Sequence, residues 1–236
     1  MLALPCVLPA TGAFALGAGV AVQSSRSATT GHHAIADDGG SRACSRHALI
    51  ACGTEHPRRT ELERYVQQAF ALKHAAQVRS FMPTLLALQG LGGRVCGVTG
   101  YREAAVEDLF LERYLDQPVQ DAIAAASGAF VNRTQIVEVG NLASLSCRAA
   151  VHLVALLPQH LLQQSQRWVV FTATQGVRHI LQRFRAPLYE LAPARAECVS
   201  GLGDDWGSYY RTDPRVMAGY LPDGLKLAGF PVTSQS

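Results

Sequence analysis

Lysine is nearly absent from this chain: of 21 basic residues only Lys73 and Lys226 are lysine. With so much alanine, that arginine bias points to GC-rich coding more than to function. Acidic residues number 18, so the formal net charge is only +3, too small to argue for a nucleic-acid partner. No C-x-x-C pair occurs among Cys6, Cys44, Cys52, Cys96, Cys147 and Cys198. Such scatter fits reduced, cytosolic thiols rather than a disulfide scaffold. Cys44, His47, Cys52 and His56 lack the spacing of a tetrahedral zinc site, and no metal is expected. There is no G-x-S-x-G elbow, no H-E-x-x-H, no Walker sequence and no dinucleotide fingerprint. Against these absences, 48% of the 236 residues are hydrophobic. That excludes a largely disordered chain and suits one domain plus an extension.

Residues 2–22 are apolar and small, and 24–40 are polar and turn-rich. A secretory signal would fit the apolar stretch, but no Lys or Arg precedes it. Pro5, Pro9 and several glycines make it a poor membrane span. Residues 1–54 are therefore expected to be a weakly ordered extension or the product of an early start codon, and residues 55–236 the domain. A cytoplasmic location follows, with export through the apolar segment as the lesser reading. No other segment reads as a transmembrane helix.

From Glu55 onward the pattern is regular. Thr60 and Glu63 fit a capping box, and Leu62, Tyr65, Val66, Ala69 and Phe70 follow helical spacing over 60–77. Two apolar runs, 84–88 and 94–99, flank a glycine-rich connection and predict a β-hairpin. Residues 108–114 and 119–126 read as short helices separated by Pro118. A strand over 135–139 ends at Gly140, and a helix runs over 145–164 with Pro158 bending it. The unbroken apolar run 168–173 predicts a strand buried on both faces. Thr174 caps a helix to about 184, and 188–192 is another strand. This order predicts an α/β layer arrangement on one mixed sheet.

One carboxylate interrupts an otherwise apolar strand. Alternation puts Ile136, Glu138 and Gly140 on one face and Val137 and Val139 on the other. A buried carboxylate is unfavourable unless paired or solvated. Two readings stand: an edge-strand Glu138 bonded to Arg133 or Arg102, or a general base or amine binder with a pKa raised by a cleft. Gly140 suggests a bulge that splays the strand from its neighbour. Directly after it, Ser144, Leu145, Ser146, Cys147 and Arg148 open a helix whose free N–H groups attract phosphate. With the strand ending at Thr172, Ala173 and Thr174, these outline a cofactor cleft. Trp206, Tyr209 and Tyr210, following Asp204 and Asp205, either cover one end of the core or wall a pocket.

Four stretches carry a family resemblance, in order along the chain. They are Gly100-Tyr101-Arg102, Leu109-Phe110-Leu111-Glu112-Arg113-Tyr114-Leu115-Asp116, Ile136-Val137-Glu138-Val139-Gly140-Asn141-Leu142-Ala143 and Trp206-Gly207-Ser208-Tyr209-Tyr210. Together they resemble the thermostable hemolysin family of bacteria. That family is similar to the GNAT acyltransferase superfamily and, in layout, to acyl-homoserine lactone synthases. The resemblance implies a GNAT-like α/β (α+β) fold, a mixed central sheet flanked by helices and splayed between its fourth and fifth strands. It also implies a thioester donor lying in the splay, with its phosphates at the next helix start. The lactone synthases carry Glu, then Arg three residues later; here Glu138 matches the Glu and Asn141 stands where Arg would be.

The function so implied is acyl transfer from coenzyme A or acyl carrier protein to an amine-bearing small molecule. Glu138 and Asn141 are the expected catalytic residues, with the backbone N–H groups of Leu142 and Ala143 holding the thioester oxygen. Ser144, Leu145, Ser146, Cys147, Arg148, Thr172 and Thr174 complete the expected donor site. Arg102 and Arg133 are expected to bind an acceptor carboxylate, and Trp206, Tyr209 and Tyr210 to close the pocket. A membrane-active cytolysin, as the family name says, and a non-catalytic GNAT-like binding module are the alternatives.

Overall fold

Buried apolar stripes of two periods, near four and two residues, define the elements. In a computed structural model describing residues 48–183, 187–201 and 205–227, these are, in chain order, β1 (Ala48–Cys52), α1 (Arg59–His74), β2 (Thr84–Gln89), β3 (Val95–Glu103), a 3-10 turn (Phe110–Tyr114), α2 (Val119–Ser127), β4 (Ile136–Ser144) and α3 (Cys147–Gln163). There follow β5 (Trp168–Ala173), α4 (Gln175–Arg183), β6 (Leu188–Pro193), β7 (Arg215–Tyr220) and α5 (Leu221–Leu227). The apolar stretch 2–22, Cys6, Cys44, His47 and Asp204 lie outside the described residues.

The sheet order is β1-β2-β3-β4-β5-β7-β6. Every neighbouring pair is antiparallel except β4 and β5. One face is covered by α1 and α2, whose Leu62, Val66, Phe70 and Ile123 pack on Leu85, Val98, Ile136, Val170 and Val216. The other is covered by α3, α4 and α5, whose Leu153, Leu157, Val177 and Leu221 pack on Leu86, Val137, Val139, Phe171 and Met217. Each helix thus buries one stripe and each central strand both faces. This is the GNAT-like α/β fold that the family resemblance implies.

Several boundaries differ from the sequence reading, each for a local reason. The sheet starts at Ala48, within the stretch expected to be an extension. Thr60 caps nothing: the cap position is Arg58 and has no side-chain cap bond, while Glu63 pairs with Arg59 at 2.7 Å. The first helix stops at His74 because Ala75 turns left-handed (φ 52°) and donates to Ala71 O. Residues 110–114 form a 3-10 turn rather than a helix. At the start of α3, Ser146 is the N-cap, its Oγ accepting from Ala149 N, and the helix runs on through Pro158.

The fourth strand does not end at Gly140 but bulges there. Gly100 faces Gly140 and Val98 faces Ala143, so Thr99 alone opposes both Asn141 and Leu142. Asn141 takes φ 49°, and Thr99 Oγ1 donates to Gly140 O at 3.0 Å. One extra residue reverses the alternation. Val139 and Leu142 therefore both face α3, while Ile136 and Ala143 face α1. Pairing with β5 runs only from Ile136–Trp168 to Val139–Phe171, and beyond that the fourth and fifth strands are splayed.

Candidate active site

Two hollows adjoin β4, one on each face of the sheet. Toward α3, α4 and α5 lies an apolar cavity of about 100 Å³, lined by Val139, Leu142, Leu153, Leu157, Phe171 and Leu188 among others. Toward α1 lies a polar hollow of about 30 Å³, walled by Ser80, Phe81, Met82, Arg102, Phe110, Glu138, Asn141 and Trp206. Glu138 stands in the last row but one of the β4–β5 ladder.

Residues 80–82 form one wall because three side chains hold them down. Asn141 Oδ1 accepts from Met82 N at 2.8 Å, and its Nδ2 donates to Ser80 O at 3.4 Å. The buried Arg59 donates to Met82 O and Pro83 O. Arg102 Nε lies 3.2 Å from Met82 Sδ. Gly100 leaves the room: a Cβ there would sit 2.6 Å from Met82 Cβ and 2.8 Å from Leu85 Cδ2. Both polar atoms of Asn141 thus bond the backbone of this wall.

Glu138 is 2% exposed and joins the sheet to the 3-10 turn. Its Oε2 accepts from Phe110 N at 2.7 Å, and its Oε1 accepts from Leu111 N at 3.2 Å. Arg102, its cross-strand neighbour, places Nε 3.6 Å from Oε2. Burial pushes the Glu138 carboxyl above the ordinary carboxylate range, against the opposite pull of Arg102 and the two amides. The pairing with Arg102 is present, on a central strand rather than an edge, and the carboxyl raised by burial is present with it.

The aromatic loop divides. Trp206 lines the polar hollow. Tyr209 is fully buried in the core, with its hydroxyl 3.4 Å from Thr172 O, and Tyr210 shares a 2.7 Å hydroxyl contact with Tyr114. Neither tyrosine lines the hollow. The loop is strapped to the end of α1, where His74 O accepts from Ser208 N and from Ser208 Oγ.

His74 itself is buried against Tyr209, ring centroids 5.4 Å apart. Burial, aided by Lys73, draws its pKa from 6.5 down to about 4. Between those values the unfolded chain binds a proton that the folded chain refuses, so stability falls as pH drops from 6.5 toward 4 and levels off below. The full difference is about 3 kcal/mol. Urea midpoints should fall over that window in the native protein, and His74→Leu should flatten the slope. An unchanged slope would remove His74 as the cause.

Arg133, expected at the acceptor, does not line the polar hollow. Its guanidinium is consumed by Glu112 (2.6 and 2.9 Å), Ala104 O and Gln120, and the fork holds the Glu112 carboxyl down at about 2. Glu112 also accepts from Leu109 N and Val119 N, so the pair fastens the 3-10 turn to α2. Arg133→Met should cost about 1–3 kcal/mol of stability and leave ligand affinity unchanged. Chemical denaturation and calorimetric titration would check the two halves separately.

The expected donor residues also divide. Leu142 lines the apolar cavity. Ser144 Oγ contacts the backbone of Ser146 and Cys96, and Ser146 opens α3 ahead of Cys147 and Arg148, with Leu145 half-exposed beside it. Thr172 and Thr174 are buried; Thr174 Oγ1 accepts from Val177 N as a helix cap. Both thereby serve the fold and line neither hollow. Sequence reasoning missed Ser80, Phe81 and Met82, because a wall made mainly by backbone bonds leaves no side-chain signature. Phe110 acts through its main-chain N–H, which residue type does not reveal.

A family model described as "Thermostable hemolysin" matches residues 52–225. The chain belongs to the thermostable hemolysin family. Among solved structures, this member of the family is similar to the AHL synthase LasI, with a TM-score of 0.55 and 14% identity over 81% of this chain and 100% of that one. It is also similar to TofI in an apo form, with a TM-score of 0.50 and 9% identity over 78% and 97% of the two chains. BjaI, a CoA-dependent acyl-homoserine lactone synthase, gives 0.50 and 15% over 80% and 92%. These likenesses establish the fold. No curated protein matches the chain. Among the described residues, no helix is long and apolar enough to cross a membrane.

Proposed function

We propose that the protein transfers an acyl group from a thioester, acyl coenzyme A or acyl carrier protein, to an amine-bearing small molecule. The observation that carries this reading is the parting of β4 from β5, with an apolar cavity on one face and a polar hollow holding a buried carboxylate on the other. The acyl chain occupies the apolar side, and the amine arrives from the polar side. The amine nitrogen attacks the thioester carbonyl, the C–S bond breaks, an amide forms and the thiol leaves with a proton. Glu138 takes the amine proton directly or through one water. N–H groups of Leu142 and Ala143, at the bulge, steady the carbonyl oxygen as it gains charge. The start of α3, from Ser144 to Arg148, receives donor phosphates. The fold shared with acyl-homoserine lactone synthases supports the reading by analogy.

The test is a mass-spectrometric scan of purified protein with mixed acyl thioesters and an amine panel. The expected product has the mass of the amine plus the acyl group less one hydrogen, formed with free thiol. No such product from any pairing, with the protein folded, would overturn the reading.

A further inference from the structure

Three residues that regular structure disfavours line the same apolar cavity. Gly219 lies inside β7, Gly224 inside α5 and Pro158 inside α3, and all three are part of its wall. Glycine is less favourable than alanine within a strand or a helix. Proline within a helix leaves the carbonyl of the preceding turn without its donor. A Cβ on Gly219 would stand 3.0 Å from Leu188 Cδ2 and 3.5 Å from Val169 Cγ1, and one on Gly224 would stand 3.9 Å from Pro158 Cγ. Missing side chains therefore keep this space open, although an apolar void of about 100 Å³ forfeits packing.

The cavity has a direction. It starts where β4 and β5 part, at Val139, Leu142 and Phe171, and reaches β7 at Gly219 and β6 at Leu188. Gly219 pairs with Val169 on β5 and with Leu188 on β6. It therefore stands two strands away from Val139, about 10 Å across the sheet. A slot that begins at the seam, crosses the strands and is walled by apolar side chains almost throughout fits one flexible alkyl chain lying over the sheet. We infer that Gly219 and Gly224 set the length of acyl chain the protein takes. The chain enters at the seam, and its terminal methyl fills the room that the two glycines leave. That the occupant is an acyl chain rests on the transfer reading above; where its length is limited rests on the cavity.

The experiment is calorimetric titration of the thioester-free protein with straight-chain saturated fatty acids from hexanoate to tetradecanoate. In the native protein affinity should rise about 4-fold with each added methylene while the chain lengthens inside the cavity, and stop rising once the cavity is full. Gly224→Ala adds one methyl at an ordinary contact distance from Pro158, and Gly219→Ala adds one to which Leu188 must yield. Each should bring the break about one methylene earlier, weakening the acid at the native break by about 4-fold. Acids well short of the break should bind as before. Gly224→Ala also favours the helix of α5, so it shortens the cavity without loosening its wall, and it decides alone if Gly219→Ala does not fold. No binding by any acid, affinity that climbs without a break, or an unmoved break in either folded variant overturns the inference. Since no thioester is present, a break that moves in a protein that acylates no amine would sink the transfer reading and spare this one. Acylation with the same chain-length preference in the native protein and both variants would do the reverse.

Discussion

Glu138→Gln should lower acyl transfer by about 10²–10⁴-fold, the usual loss when a general base is removed. The structure adds a second effect. Both oxygens of Glu138 accept backbone N–H groups, and an amide can present only one oxygen. One N–H of the 3-10 turn would then face the NH₂ of Gln, costing about 1–3 kcal/mol of stability. The variant should fold at 25 °C, bind donor as before and lose turnover. Because burial raises the native carboxyl, kcat/KM of the native protein should climb with pH through a value above the ordinary carboxylate range. That limb should vanish in the variant. A direct cytolysin predicts a different pattern, with native protein and variant lysing red cells equally and without any thioester. That result would favour the cytolysin over the acyltransferase.

Gly207→Ala should be the most damaging single methyl in the molecule. Gly207 has φ +50°, and a Cβ there would lie 2.0 Å from His74 O. The clash is with backbone, so no side chain can swing aside to relieve it. Left-handed strain and overpacking together cost about 3 kcal/mol or more. If the loop yields instead of the fold, Ser208 leaves His74 O and Trp206 leaves the hollow. Thermal unfolding should show a clear drop in midpoint, and acceptor KM should rise more than donor KM. A variant with native midpoint and native acceptor KM would show that the strap to α1 does not hold the pocket.

The central fold is legible because its apolar runs are long and unbroken. Residues 168–173 and the paired runs flanking Gly92 fix β5 and the β2–β3 hairpin without ambiguity. β1 and β7 are five- and six-residue strands whose neighbours come from far along the chain, and short apolar runs do not announce their partners. Glu138 stands out as the one charge in a strand of apolar residues. Arg133 misleads because sequence places it beside Glu138, whereas its guanidinium reaches Glu112, a residue 21 positions earlier. Sequence singles out Asn141 by its place three residues after Glu138, and does not show that its backbone turns left-handed or that its amide bonds the backbone of Ser80 and Met82. Backbone-to-side-chain bonds of that kind depend on which loop arrives overhead, and residue type does not record it.

The short ladder between β4 and β5 has a mechanical meaning. Four residue pairs join these strands, whereas every other seam in the sheet is joined by five or six. The molecule is therefore two plates, β1 to β4 and β5 to β7, stitched along a partial seam and spanned by α3 from one plate to the other. Stress applied across the sheet concentrates at the end of that seam, beside Val139 and Phe171, as it does at the tip of a notch. Past that point the two parts of the sheet meet without ladder hydrogen bonds, and what keeps them at one angle is side-chain packing and the loop that ties Ser208 to His74.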